Sequence, residues 1–330
     1  MKILITGGAG FIGSHTVESL INEKNIKKIL IIDNFEDGSK KNLKKVLKNK
    51  KIQIFKRDIN NIKSIQKLFK NINSVIHLAA LSDIVPSIES PIEYLNTNIM
   101  GTLNVLECMR KYKIKKIIYS ASSSCYGNDP KVPTNENSEI NTKYPYAFSK
   151  FVGEKLIQHY ANVYGINYIS LRLFNVYGTR SRTNSAYGAA LGVFIKQKIS
   201  NHPYTIIGKG NQKRDFIYVA DVVDVIKKSL TTSKKNKVYN IGAGSPKSIN
   251  FLVKILKGPK IFIPKRPGEP SVTHANISKV KKELNWKPKT TLENGLQKVL
   301  KNKEYWKNAP LWTRSKIRNA TKYWFKYLSK

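Results

Sequence analysis

Hydrophobic positions open the chain as a short, nearly unbroken run, Ile3 to Thr6, which ends in glycines at 7, 10 and 13. A run of that length bounded by glycine reads as a strand buried on both faces, and Ser14 to Asn22 after it reads as a helix. The rhythm then repeats. Lys28 to Ile32, Lys51 to Phe55, Ser74 to His77, Lys116 to Ser120 and Asn167 to Leu173 are predicted strands, while Ile62 to Phe69, Pro91 to Tyr112 and Tyr146 to Tyr164 carry helical periodicity. Strands alternating with helices predict an α/β fold of the Rossmann type, a doubly wound parallel sheet that binds its ligand at the carboxyl ends of the strands. Beyond about Phe174 the pattern breaks into short segments rich in glycine, proline and asparagine, although Val238 to Gly242 reads as a strand returning to the first sheet. The expected organisation is a first domain over 1–173, with 213–242 returning to it, and a smaller, interleaved lobe over 174–330. No internal repeat or low-complexity linker interrupts it.

The three glycines suit a diphosphate. Gly7 permits a tight turn, Gly10 lets the backbone approach a pyrophosphate, and Gly13 lets the next helix lie close with its amides aimed at the phosphates. Asp33 stands twenty residues after Gly13, at the end of the second strand. A carboxylate there accepts hydrogen bonds from an adenosine ribose and repels a 2′-phosphate, so NAD is the expected cofactor rather than NADP. A glycine-rich turn in some other α/β fold, with a solvated Asp33, is the bland alternative. Strand, helix and acid in register count against it.

Composition narrows the rest. A chain of 330 residues with 41% hydrophobic content can bury a large core. It has no apolar run long enough for a bilayer, and its amino terminus is a core strand rather than a signal peptide, so a cytoplasmic location is expected. Cys108 and Cys125 have no metal spacing and are expected to be ordinary thiols, with no metal site. A net charge of +38 could mark a nucleic-acid or membrane partner. The lysines are instead scattered through every segment beside abundant Asn and Ile, as codon bias toward A and T would produce. Lys40 to Lys51, the densest run, reads as the polar side of a helix, and neither nucleic acid nor membrane is expected as a partner. The tail, 301–330, sets Ile317, Ala320, Trp324 and Tyr327 or Leu328 near helical spacing among lysines, which suits a basic and aromatic helical tail docked on its own domain or a partner subunit.

Tyr146 and Lys150 are four residues apart, which places phenol and ammonium one turn from each other on a helix. The lysine charge and a cationic nicotinamide nearby would favour the phenolate of a group that is otherwise a poor base near pH 7. Upstream, Ser122, Ser123 and Ser124 put hydroxyls at the carboxyl end of a strand; a turn satisfying its own backbone is the alternative.

Together these residues resemble the extended short-chain dehydrogenase/reductases, specifically the NAD-dependent nucleotide-sugar epimerases and dehydratases. The resemblance runs from Gly7 to about Leu296. Further motifs in it are Asp58-Ile59, His77-Leu78-Ala79-Ala80, Asn98, Leu171 to Gly178, Arg214-Asp215, Tyr239 to Gly244 and Arg266-Pro-Gly-Glu269. It implies Ser122, Tyr146 and Lys150 as the catalytic residues, Tyr146 as proton acceptor and Lys150 on the nicotinamide ribose. It implies cofactor contacts from Gly7, Gly10, Phe11, Ile12, Gly13, Asp33, Asn34, Asp58, Ile59, Leu78, Ala79, Ala80, Asn98, Tyr146, Lys150 and Phe174. The substrate, a UDP-sugar, is expected to meet Ser87, Ser122, Ser123, Ser124, Tyr146, Asn175, Arg214, Arg266, Glu269 and Thr273, with Arg180 also facing the anion. Forked guanidinium donors suit a diphosphate, and Glu269 suits ribose hydroxyls.

Family members resembling this chain that eliminate water carry an Asp-Glu pair where Ser123 and Ser124 stand, and UDP-glucuronate decarboxylases carry a glutamate. Lacking both, the chain is expected to be a 4-epimerase that inverts carbon 4 through a transient 4-keto sugar, which turns about its link to the diphosphate. Small Thr273 and the serines, Ser87 included, resemble epimerases that admit N-acetylhexosamines. A UDP-glucuronate epimerase is the neighbouring alternative; a non-catalytic NAD-binding regulator or nucleic-acid-binding protein is the alternative of a different class. Two departures weaken the UDP assignment: Ala190 replaces an asparagine near the diphosphate, and Glu269 replaces an aspartate. Helices over Asn98 to Lys111 and Ser149 to Val163, with Val152, Leu156, Tyr160 and Val163 on one face, resemble the family's dimer interface and imply a homodimer.

Overall fold

The computed structural model describes residues 1–181 and 190–328, Ala190 by its backbone alone. Among them, seven strands form one parallel sheet: β1 (Lys2–Thr6), β2 (Lys28–Asp33), β3 (Ile52–Lys56), β4 (Ser74–His77), β5 (Lys116–Ser122), β6 (Asn167–Leu173) and, last in the chain, Lys237–Ile241. From one edge the order is Lys237–Ile241, β6, β5, β4, β1, β2, β3. The chain therefore builds outward from β1 to β3 and then crosses back to β4, which opens a crevice beyond the carboxyl ends of β1 and β4. Period-two alternation distributes the sheet between two cores. Ile3, Ile5, Ile29 and Ile31 pack on one face, and Leu4, Leu30 and Ile32 on the other.

Helices cover both faces. The first, Phe11–Leu20, begins three residues before the expected Ser14, directly after Gly10. The single helix expected over Pro91 to Tyr112 is three pieces in continuous helical path: Pro91–Leu95, a π-helical turn Asn96–Met100, and Gly101–Lys111. A short helix absent from the periodic reading, Ile84–Glu89, precedes them. Lys40 to Lys51 is not the polar side of a helix. It holds a 3-10 turn, Lys40–Leu43, capped by Ser39 and anchored by buried Leu43 and Val46.

The second lobe is built from short parallel pairs, Asn175–Tyr177 with Phe216–Tyr218 and Tyr204–Ile207 with Lys260–Ile263, around a third apolar cluster. Helices Val219–Thr231, Ile249–Leu256 and Leu292–Lys301 supply its remaining walls. The tail continues as Lys303–Trp306, Arg314–Ala320 and Lys322–Leu328, with Ile317 and Trp324 turned inward and buried. Among the described residues no helix is long and apolar enough to cross a membrane, and no cluster of His, Cys, Asp and Glu could hold a metal.

The helix face proposed for a dimer is divided. Leu156 and Tyr160 pack on this chain's own core, and the Tyr160 hydroxyl donates to Glu107, whereas Val163 is exposed.

Candidate active site

A cleft of about 520 Å³ lies across the carboxyl ends of the strands and reaches into the second lobe. Its floor is the glycine turn. Gly7 has φ +69°, and a β-carbon there would lie 2.7 Å from the Ala79 nitrogen; on Gly13 it would lie 2.0 Å from the Gly7 carbonyl oxygen. Only hydrogen fits at either place, so backbone and helix amides lie open to an anion. Asp33 ends β2 beside them. Its Oδ2 accepts from the Ala9 N–H at 2.8 Å and its Oδ1 from Phe35 N–H at 2.9 Å. Each oxygen keeps a lone pair for a ribose hydroxyl, and burial pushes the carboxyl above its ordinary value while these bonds oppose the rise. The cradle and acid fit NAD.

Phe11, Ile12, Asn34, Asp58, Ile59, Leu78, Ala79, Ala80 and Phe174 also line this cleft. Asn98 does not. It is buried, with Oδ1 accepting from Leu81 N–H at 2.9 Å and Nδ2 donating to the Leu81 carbonyl at 3.0 Å and Ser149 Oγ at 2.9 Å. Its expected cofactor contact is corrected to a clamp. The π-helical turn carries Asn98 inward, where it holds the segment after β4 against the helix Pro145–Tyr164.

That helix, Pro145–Tyr164, starts with proline in its first turn and presents Tyr146 and then Lys150 to the cleft. β5 delivers Ser122, whose Oγ shares a hydrogen bond with Ser124 Oγ and accepts from Ser124 N–H at 3.2 Å. Ser122, Ser123, Ser124, Tyr146 and Lys150 therefore border one space. Burial pushes the Tyr146 phenol up, hydrogen bonds from Ser122 and Ser124 oppose it, and the charge of Asp83 adds to the rise. Lys150 is pulled down to about 7 by burial, against Glu154. Within the protein alone burial raises the phenol, so the phenolate expected at this spacing depends on the cationic nicotinamide as well as on the lysine. Beneath them His77 is fixed by β1 and helix Gly101–Lys111. Thr102 Oγ1 donates to the Asn98 carbonyl at 2.6 Å and so accepts from His77 Nε2 at 3.0 Å, leaving Nδ1 to accept from Thr6 Oγ1 at 2.6 Å. Burial and Lys150 hold this imidazole near 3, neutral and structural.

On the second lobe, Asn175, Arg180, Arg214, Arg266, Glu269 and Thr273 line the cleft. Arg214 and Glu269 are not independent contacts, as the sequence implied, but an ion pair: Nη2 donates to Oε1 at 2.8 Å and Nη1 to the Pro270 carbonyl at 2.8 Å. Thr273 Oγ1 donates to Asn175 Oδ1 at 2.9 Å and accepts from Asp215 N–H at 3.1 Å. Buried Asp215 in turn accepts from the Ala243, Gly244 and Ala275 amides, tying the segment after strand Lys237–Ile241 to the second lobe. Arg180 pairs with Glu18, and its buried Nη1 has no partner among the described residues, which leaves one donor for an anion. Ser87 is fully buried with its hydroxyl on the Ile84 carbonyl and does not line the cleft, which corrects its expected substrate contact. The Ala190 side chain lies outside the described residues.

Sequence reasoning missed the network behind the site. Arg172 and Glu154 form a buried ion pair at 2.6 Å, extended by Ser170 onto Glu154 and by Arg172 onto the Tyr126 hydroxyl, which donates to Asn240 Oδ1 at 2.7 Å. It joins the helix Pro145–Tyr164, β6, the serine turn and Lys237–Ile241. Ser170 and Arg172, flanked by Ile169, Leu171 and Leu173 within a predicted core strand, were the available signal.

Comparison with known proteins agrees with this geometry. The model of the NAD dependent epimerase/dehydratase family matches residues 3–242. A UDP-glucose 4-epimerase of Thermotoga maritima, solved with UDP-glucose, is 33% identical, with a TM-score of 0.85 over 91% of this chain and 98% of that one. A UDP-N-acetylglucosamine 4-epimerase of Methanobrevibacter ruminantium M1, in complex with UDP-N-acetylmuramic acid, is 32% identical, with a TM-score of 0.86 over 91% and 97%. A UDP-glucuronic acid 4-epimerase of Bacillus cereus, solved with UDP-glucuronic acid and NAD, is 33% identical, with a TM-score of 0.86 over 92% and 99%.

Proposed function

Because the chain belongs to the NAD-dependent epimerase/dehydratase family, we propose that it inverts carbon 4 of a UDP-hexose or UDP-N-acetylhexosamine. The chemistry that NAD supplies when bound is reversible oxidation of a secondary alcohol. The glycine turn and the amino end of Phe11–Leu20 hold the pyrophosphate, Asp33 the adenosine ribose and Lys150 the nicotinamide ribose. Tyr146 Oη takes the proton of the sugar's carbon-4 hydroxyl, directly or through Ser122, and returns it after the sugar has turned over. Asn175, Arg266 and the Arg214–Glu269 pair grip the nucleoside diphosphate, with Arg180 Nη1 as a further donor, so that the sugar alone is free to rotate.

The observation that carries this reading is Tyr146 beside Ser122 and Ser124, whose hydroxyls oppose the rise of its phenol, in the same cleft as the glycine cradle. Ser123 and Ser124 supply no carboxylate for elimination. Thr273 leaves room beside the sugar, which supports N-acetylhexosamines. The negative charge of Asp83 near Tyr146 supports a neutral sugar over a uronate, whose carboxylate would add to it. Exposed Met100, Val163 and Tyr164 on the paired helices support a homodimer, which light scattering reads directly. Incubation with UDP-glucose, UDP-N-acetylglucosamine, UDP-glucuronate and their GDP and dTDP counterparts, followed by NMR of the anomeric protons, tests the function. Interconversion of a neutral UDP-sugar pair is expected; interconversion of the uronate alone replaces the substrate reading, and none at all removes the epimerase reading.

A further inference from the structure

The C-terminal tail bridges the two sides of the cleft. Trp306 and Ala309 are buried in the substrate lobe's apolar cluster, and Lys196 Nζ and Gln197 Nε2 donate to the Lys307 and Trp312 carbonyls at 2.7 Å and 2.9 Å. From this anchor the chain crosses over, and helix Lys322–Leu328 packs on Ile84–Glu89, the helix that follows β4 of the large sheet. Ile317, between the anchors, and Trp324, in the second, line the same cleft as Tyr146.

Trp324 sits where two parts of the site meet. Its Nε1–H donates to the Pro267 carbonyl at 2.6 Å, next to Arg266, and its ring lies 6.1 Å from the ring of Tyr144. Tyr144 lies beside Ser124, whose hydroxyl opposes the rise of its phenol and is itself hydrogen-bonded to Ser122. An indole fixed through its N–H keeps an apolar, rigid face for a ligand. Such faces suit the C–H surface of a pyranose, while the nucleotide end of a UDP-sugar is governed by charge.

We propose that the tail forms the outer wall of the sugar subsite and that Trp324 is its specificity-determining residue, discriminating among UDP-sugars by the size of the hexose substituents. This rests on the UDP-sugar reading above. A wall of this kind acts on the sugar and leaves the uridine diphosphate grip alone. Ile317 extends the same surface from the preceding helix.

The test uses the full-length protein with NAD bound and measures Kd for UDP-glucose, UDP-N-acetylglucosamine and UDP by calorimetry, for the wild type, Trp324→Ala, Trp324→Phe and Ile317→Ala. Trp324→Ala is expected to change the Kd ratio between the two sugars by about 10-fold, with UDP affinity held within about 2-fold and Trp324→Phe intermediate, since one pocket group is worth about 10- to 200-fold in discrimination. An unchanged ratio overturns the proposal. An equal loss for UDP and the UDP-sugars also overturns it, because Trp324 would then act through Pro267 on the nucleotide grip. If Trp324→Ala does not fold, Trp324→Phe and Ile317→Ala carry the same readout, and an unchanged ratio in both overturns it. Binding needs no turnover, so an inactive wild type would count against the epimerase reading and leave this test intact.

Discussion

Lys150 is expected to cost the folded protein stability near neutral pH. Its side chain is 4% exposed, its Nζ lies 4.3 Å from the centroid of the Tyr119 ring, and burial draws its pKa down to about 7 from 10.5. In the unfolded chain the ammonium persists to about pH 10.4. Between those values the unfolded state binds more protons, so stability rises with pH across that window; below it both states hold the proton and the penalty is complete. At 1.36 kcal/mol for each factor of ten, the penalty at pH 7 is about 4 kcal/mol. Lys150→Met keeps a stem of similar length and removes the charge. Losing the contact with Tyr119 returns about 1–2 kcal/mol of that gain. Lys150→Met should therefore be more stable than the wild type by about 2–3 kcal/mol at pH 7, while the two converge near pH 10 and turnover falls. Urea unfolding of nucleotide-free protein, followed by far-ultraviolet circular dichroism at both pH values, reads the difference. A variant no more stable at pH 7, or a difference that persists to pH 10, refutes the reasoning.

Arg172→Met leaves Glu154 charged and buried and should cost about 3–5 kcal/mol in urea unfolding, with much of the loss recovered in the double variant with Glu154→Met. Gly13→Ala would set its β-carbon 2.0 Å from the Gly7 carbonyl oxygen, so calorimetry should show NAD binding lost; wild-type affinity would contradict the cradle. Asp83→Asn removes a charge that raises the Tyr146 phenol, so the acidic limb of the kcat against pH profile should move to lower pH, and an unmoved profile would separate the two groups.

Much of the fold was legible because parallel strands buried on both faces leave near-continuous apolar runs. β1, β2, β4 and β6 stand within a residue or so of their expected bounds. The helix start at Phe11 was missed because Gly10 caps it with extended backbone and no side-chain signal. The break at Asn96–Met100 is a matter of hydrogen-bond spacing, and apolar periodicity survives a π turn almost unchanged. Within the site, the glycines, Asp33, Ser122, Tyr146 and Lys150 are local in sequence or fixed by strand ends, and they line one cleft. Asn98 and Ser87 lie close to it in sequence, yet turn into the interior for their hydrogen bonds. The Arg214–Glu269 pair, the Arg172–Glu154 pair and the Trp324 contact with Pro267 link residues 18 to 57 positions apart, where spacing carries no information. Lys150 shows a further limit: spacing placed it one turn from Tyr146 on the cleft, while the lowering of its pKa comes from burial, which spacing does not reveal.

Replacing Tyr146 by phenylalanine tests the central claim most directly. With the Ser122 side left intact, Tyr146→Phe should bind NAD and the UDP-sugar as the wild type does and lose about 10²- to 10⁴-fold in the rate of sugar interconversion followed by NMR. Turnover within a few-fold of the wild type would contradict the account, because the proton would then be leaving the carbon-4 hydroxyl by way of another group.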